Sequence, residues 1–500
     1  MNVNSLLFDT LNLRNILTLN FILMLIASYS LIHVQAKVVL NDPSLDVKIL
    51  TQGLSFPTGM AFLNSNEILV SEKDAGRVVR VVNGNISNNP VLTVDINHHK
   101  ERGLLGIALP RDSYGDDRDS EDNPKYVFLF YTEPIHVRNE KVSSDPKVGN
   151  CKKPECLESQ FSNRLYRYEY KHNKLINPKL LIDIPIYWNN WIYPSTYSEI
   201  INGGSNWLNY PLIEGIHQGG KLLTSHDNTI FLVTGDGGGC RNSDGCHKSI
   251  KNGFLRSKTA NKIDGASPIG IGGILHVTNE GNPVDDKGVI GDEAPLNMYY
   301  GYGIRNSFGM DLDPVTGKLW DTENGPHFGD EINLVEPGFN SGWAKMQGVW
   351  PISNYTDLYA TSSEIGYVNS STIPTPYHFE DFDGKGEYSD PEFTWNSSVG
   401  VTSIKFLDTK ALGKQYENDI LVGDSYGTIY HFDLNEDRTG LKLNGSLADK
   451  VANSISELSD SIFAQGLNTI TDIEVGPDAY IYVLSYSGEI YKIGPKVGNG

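Results

Sequence analysis

Between Tyr302 and Trp343 the chain places an Arg-Asn pair (Arg305, Asn306) just ahead of a strand-like run. A Gly-Pro turn (Gly325, Pro326) comes after the next strand, followed by a paired acid, Asp330 and Glu331. A turn exposes backbone carbonyls, which are the ligands a hard cation takes, and a guanidinium fork binds carboxylates. The segment has the residue types to hold a cation and an anionic ligand side by side. A second centre is His217, in GIHQGGKLL. An imidazole near pKa ~6.5 suits removal of a proton from a substrate hydroxyl. The bland reading is that a lone histidine, here one of 12, is structural.

Both centres lie at the entries of strand-like runs, and the chain repeats such runs. Asn66–Val82 (NEILVSEKDAGRVVRVV), Asn418–Leu434 (NDILVGDSYGTIYHFDL) and Ala479–Ile493 (AYIYVLSYSGEIYKI) each read as strand, polar turn with a glycine, strand. An apolar strand precedes each unit. Six such strands begin near Pro57, Gly103, Gln218, Asn306, Thr402 and Ile470. Period-2 alternation and many glycines and tyrosines (50 and 26 in 500 residues) point to an all-β chain. Six units at irregular spacing predict a six-bladed β-propeller with long loop insertions. A β-sandwich or two stacked β domains is the competing arrangement. Val38–Thr51 is a candidate closing strand beside the last blade. The insertions are an acid-rich stretch (Arg111–Lys125), one with a cysteine pair (Arg138–Ser162) and one rich in Trp, Tyr and Asn (Tyr187–Leu212).

Lys and Arg number 41 against 61 Asp and Glu, a formal charge of −20. That balance argues against nucleic acid and anionic membrane surfaces as partners. It suits cation binding or a neutral small substrate. Arg14 precedes the apolar run Ile16–Ile32, and Val34-Gln35-Ala36 offers a cleavage site. Residues 1–36 read as a signal peptide, with an uncleaved anchor as the alternative. Residues 37–500 read as one exported domain, at a membrane only if that segment is kept. The cysteines fall in two close pairs, Cys151 with Cys156 and Cys240 with Cys246. In an exported protein an even count suggests disulfides, in any of three connectivities. Sequons occur at Asn85, Asn354, Asn369, Asn396 and Asn444.

Five motifs add a family reading. GLLGIAL (Gly103–Leu109), HQGGKL (His217–Leu222), GIRNSFGMDLDP (Gly303–Pro314), ENGPHFGDEINL (Glu323–Leu334) and GFNSGW (Gly338–Trp343) occur in one order. Together they resemble the glucose/sorbosone dehydrogenase family, over roughly Leu54–Ile493, nearly the whole of residues 37–500. The resemblance implies a six-bladed propeller with pyrroloquinoline quinone (PQQ) in its central channel over a calcium ion. It implies His217 as the general base toward a sugar's anomeric hydroxyl. Arg305 and Asn306 would contact the cofactor, and Lys221 stands where some members carry arginine. The carbonyls of Gly325 and Pro326 would ligate calcium, and Asp330 and Glu331 match acids that help bind structural calcium. Ser425, Thr469 and Thr471 align where PQQ-binding members carry a lysine and arginines. The reading that follows is an exported quinoprotein-type dehydrogenase oxidising an aldose to its lactone, with an external electron acceptor. The alternative is a non-catalytic, calcium-stabilised secreted propeller that binds a glycan or protein. A calcium-dependent lactonase-like hydrolase is a third option, at the level of fold alone.

Overall fold

The computed structural model describes residues 37–110, 125–135, 160–185, 216–238, 257–352 and 378–496. The N-terminal segment, the four cysteines, the sequons at Asn354 and Asn369 and most of the three insertions lie outside them. The architecture is an all-β propeller. Each of the six strand–turn–strand units lies in its own sheet. Pro57–Asn64, Leu104–Ala108, Leu222–Thr224, Ser307–Leu312, Val401–Phe406 and Ile470–Val475 each form one edge of a sheet. Each pairs antiparallel with the strand that follows it. These edge strands pack on one another in turn, and Ile470–Val475 returns to Pro57–Asn64. They line a closed central channel.

Burial follows position in the sheet. Ile230–Thr234, Ile420–Asp424 and Ile481–Ser485 are buried at every residue, because adjacent sheets cover both faces. The outer strand Leu45–Thr51 is buried only at its two ends, because it lies at the outside of its sheet. That strand pairs with Ile490–Pro495, so the beginning of the domain closes the sheet built by its end. Phe62 of the first sheet and Tyr482 of the last pack edge to face, ring centroids 4.8 Å apart. Each such buried ring contributes about 1.5–3 kcal/mol. The second strand of the fourth sheet is the most acidic of those buried throughout. Leu319–Glu323 reads LWDTE yet is buried throughout, which puts two carboxylates inside.

His276 shows what a buried titratable group does to this framework. Its imidazole stacks on Phe231 with centroids 3.9 Å apart, and Nε2 lies 2.7 Å from Thr229 Oγ1. Burial pushes its pKa down to about 4. Folded protein therefore binds fewer protons than unfolded chain between about pH 4 and ~6.5. Stability from this group is complete above ~6.5 and is lost as pH falls toward 4. In His276→Gln, the drop in urea midpoint between pH 7 and pH 4.5 should shrink; an unchanged drop would remove His276 from the acid response.

Candidate active site

All six channel strands run the same way, so the loops entering them share one mouth. Glu101 precedes Leu104–Ala108, His217 precedes Leu222–Thr224, and Arg305 and Asn306 precede Ser307–Leu312. His217 holds φ +54°, and Gly219 and Gly220 follow at +64° and +117°. A non-glycine residue in the left-handed region stores strain and needs support. Glu101 supplies it: its Oε2 accepts the His217 N–H at 2.7 Å and the Asn306 Nδ2–H at 3.2 Å. Asn306 Oδ1 in turn accepts the Gly219 N–H at 3.2 Å. A side chain at Gly235 would run into the His217 carbonyl, so that position must be glycine.

The His217 ring is oriented by Asp236. His217 Nδ1 lies 2.7 Å from Asp236 Oδ1. That carboxylate also accepts the Gly238 N–H at 2.7 Å and the Trp343 Nε1–H at 2.8 Å. A carboxylate on Nδ1 keeps the proton there and leaves the lone pair on Nε2, the arrangement of a base. Both residues are buried.

Arg305 joins this centre to the Gly-Pro turn. Its guanidinium donates to the carbonyls of Asn324 and Gly325 at 2.8 and 3.1 Å, and lies 5.4 Å from the Trp343 ring centre. Its Nε is buried without a hydrogen-bond partner. Burial lowers its pKa, opposed by the charges of Asp236, Glu101, Glu323 and Asp330. Asp330 is committed to the turn. Its carboxylate accepts the N–H groups of Gly325, Val399 and Gly400 at 2.8, 2.8 and 2.7 Å. Glu331, one residue on, faces the other side of the strand. It accepts from Gln347 Nε2, Asn333 Nδ2 and Ser341 Oγ at 3.0, 3.0 and 3.1 Å. Ser341 Oγ also reaches Glu323 Oε2 at 2.7 Å. Burial pushes Glu331 up to about 8 and Asp321 up to about 7, and holds Glu323 well above the carboxylate range. Asn333 Oδ1 and Gln347 Oε1 are buried there without partners. Burial and mutual crowding favour the protonated form of these acids, and amide and hydroxyl donors already satisfy Glu331. The paired acids thus separate: Glu331 belongs to a buried hydrogen-bonded acid cluster, and Asp330 holds the turn.

Lys221 is not part of the His217 group. Its ammonium is 2.6 Å from Asp472 and 3.4 Å from Glu474. Lys405 continues the lattice to Glu474 at 2.8 Å and to Asp311 at 3.3 Å. Glu474 and Lys405 also line a cavity of 490 Å³ at the opposite end of the channel, with Met60, Leu223 and Thr409. At the positions aligned with basic clamps, the hydroxyls bond to backbone. Ser425 Oγ donates to Val399 O, Thr469 Oγ1 to Ser425 O and Thr471 Oγ1 to Leu484 O, at 2.8, 2.9 and 3.3 Å. PQQ carries three carboxylates, which need cations when desolvated. At these three positions the side chains offer no such charge.

Sequence reading missed Asp236, Glu101 and Glu323. Two had a signal: Asp236 is an acid ending the apolar run IFLVT before three glycines, and Glu101 stands just before GLLGIAL. Asp330→Ala would strand three buried N–H groups and should cost about 3–5 kcal/mol in urea unfolding, with Asp330→Asn costing less. A loss below about 1 kcal/mol would mean the turn holds itself.

The family model for Glucose / Sorbosone dehydrogenase matches residues 207–492. Aldose sugar dehydrogenase YliI of Escherichia coli K12 is 26% identical over 291 residues, 57% of this chain and 62% of the relative. Quinoprotein glucose dehydrogenase B of Acinetobacter calcoaceticus is 24% identical over 320 residues, 63% of this chain and 55% of the relative. The chain therefore spans under two thirds of the length of either relative. The crystal structure of the soluble aldose sugar dehydrogenase from Escherichia coli, in its apo form, superposes with a TM-score of 0.56 at 20% identity. That match covers 90% of this chain and all of the other, and it supports the fold. The histidine centre, the Arg-Asn pair and the Gly-Pro turn all fall inside the matched residues, and the chain belongs to the Glucose / Sorbosone dehydrogenase family.

Proposed function

We propose that this chain is an exported sugar dehydrogenase that oxidises an aldose at its anomeric carbon to the lactone. The observation that carries the reading is the His217–Asp236 pair, a buried and oriented base at the channel mouth. His217 Nε2 takes the proton of the anomeric hydroxyl. The C–H hydride leaves to an oxidant as the C–O bond becomes a carbonyl. Asp236 stabilises the imidazolium that forms, and Trp343 and Gly238 hold Asp236 in place. A binding module has no use for such a base, which weighs against the non-catalytic reading.

Family membership and a relative named as a quinoprotein favour PQQ as the oxidant, with electrons passing on to an external acceptor. The Gly325 carbonyl, a calcium ligand in this reading with that of Pro326, already accepts from the Arg305 guanidinium at 3.1 Å, and the neutral Ser425, Thr469 and Thr471 offer the quinone's carboxylates no charge. The assigned chemistry is therefore that of the protein's own groups. We read the six sheets as six blades, on the closed circuit of their inner strands. Residues 1–36 are proposed as the export signal.

The test is dye reduction by calcium-loaded protein supplied with PQQ and a panel of aldoses. Aldose-dependent reduction should fall at least ~10²-fold in His217→Ala with the fold intact. Equal turnover in the variant would remove His217 from the mechanism, and no reduction with any aldose would remove the dehydrogenase reading.

A further inference from the structure

The rim of the channel mouth runs from His217 to the seam between the first and last sheets. On one side Glu101 leads along the chain to Leu104, whose N–H donates to Lys73 O at 3.1 Å. The Lys73 N–H donates to Phe56 O at 3.0 Å. On the other side Asp330 ties to Gly400, and the Ser425 N–H donates to Gly400 O at 2.9 Å. Thr469 Oγ1 donates to Ser425 O, and the Tyr486 N–H donates to Thr469 O at 2.8 Å. The two arms meet where the rings of Phe56 and Tyr486 lie 5.1 Å apart at 42°. Both rings therefore sit on the face that carries His217.

Burial does not account for the placement of Phe56. Phe56 is 47% exposed and holds φ +47°. A bulky residue in the left-handed region is strained, and a half-exposed phenyl forgoes much of its burial gain. The edge of this open V is polar. Asp74 acts electrostatically on the Tyr486 phenol, and its carboxylate lies 2.6 Å from Lys73 Nζ. The adjoining positions Ser425 and Thr469 are uncharged. An aromatic platform with a fringe of carboxylate, ammonium and phenol matches a pyranose, which offers an apolar C–H face and a rim of hydroxyls. We propose that Phe56 and Tyr486 form a stacking subsite for a second sugar ring, so that oligosaccharides or glycan ends are taken in preference to free monosaccharides. The preference in turnover rests on the dehydrogenase reading, whereas the subsite rests on the rings alone.

Saturation-transfer NMR with maltose and cellobiose tests binding without turnover, and steady-state rates against glucose test preference. Wild-type protein should transfer more strongly to the non-reducing ring than to the reducing one. Phe56→Ala and Tyr486→Ala should each weaken that transfer several-fold and lower the disaccharide-to-glucose ratio of kcat/KM about tenfold. Equal transfer to both rings, or transfer unchanged in both variants, would overturn the subsite. Ring contact that is lost in the variants while no aldose is oxidised would uphold the subsite and sink the dehydrogenase reading.

Discussion

Six sheet edges facing one channel leave backbone N–H groups without strand partners, and buried carboxylates from neighbouring elements satisfy them. Asp472, in the last sheet, accepts the Met60 N–H of the first at 2.9 Å. Asp311 accepts the Phe406 N–H of the next sheet at 2.9 Å. At the mouth the same device recurs with Glu101 on His217 and Asp330 on Gly325, Val399 and Gly400. An unpaired buried N–H costs about 1–3 kcal/mol, and an ionised acceptor makes a stronger bond than a carbonyl. The carboxylates then need counter-charges of their own. Lys221 and Lys405 supply them inside the channel, and Arg305 does so at the mouth. Some of the acid excess is thus part of how the inner edges are closed.

The candidate site grows out of this constraint. The loop at His217 adopts a strained conformation because Glu101 and Asn306 fix its backbone, and Asp236 then aims the ring. Arg305 crosses from the histidine side to the carbonyls of the Gly-Pro turn, and Asp330 anchors that turn from the other side. Held geometry of this kind is what a general base requires, since proton transfer depends on position before it depends on pKa. The buried acids Asp321, Glu323 and Glu331 form a separate cluster, in which burial favours the protonated form of each.

Much of this was legible in the chain. Strand alternation and glycine turns located all six channel strands, and Val38–Thr51 contained the strand that closes the last sheet. His217, Arg305, Asn306 and the Gly-Pro turn come together at one mouth because each stands at the entry or exit of a strand. What pattern could not give was pairing at long range. Lys221 sits four residues after His217, yet its partners are Asp472 and Glu474, some 250 positions away. Asp330 and Glu331 read as one acidic pair, but the period of a strand sends them to opposite faces. Phe56 carries no motif, and Glu101 only its place ahead of GLLGIAL. Their roles follow from which sheets the closure brings together, which local sequence does not encode.

The central claim is that carboxylates on backbone N–H groups hold the channel and its mouth rigid. Amide hydrogen exchange at His217, Gly325, Val399, Gly400, Met60 and Phe406 tests it most directly. Protection close to that of paired amides in Ile420–Asp424 is the predicted result. Exchange of these six amides within seconds, with the paired strands still protected, would contradict it.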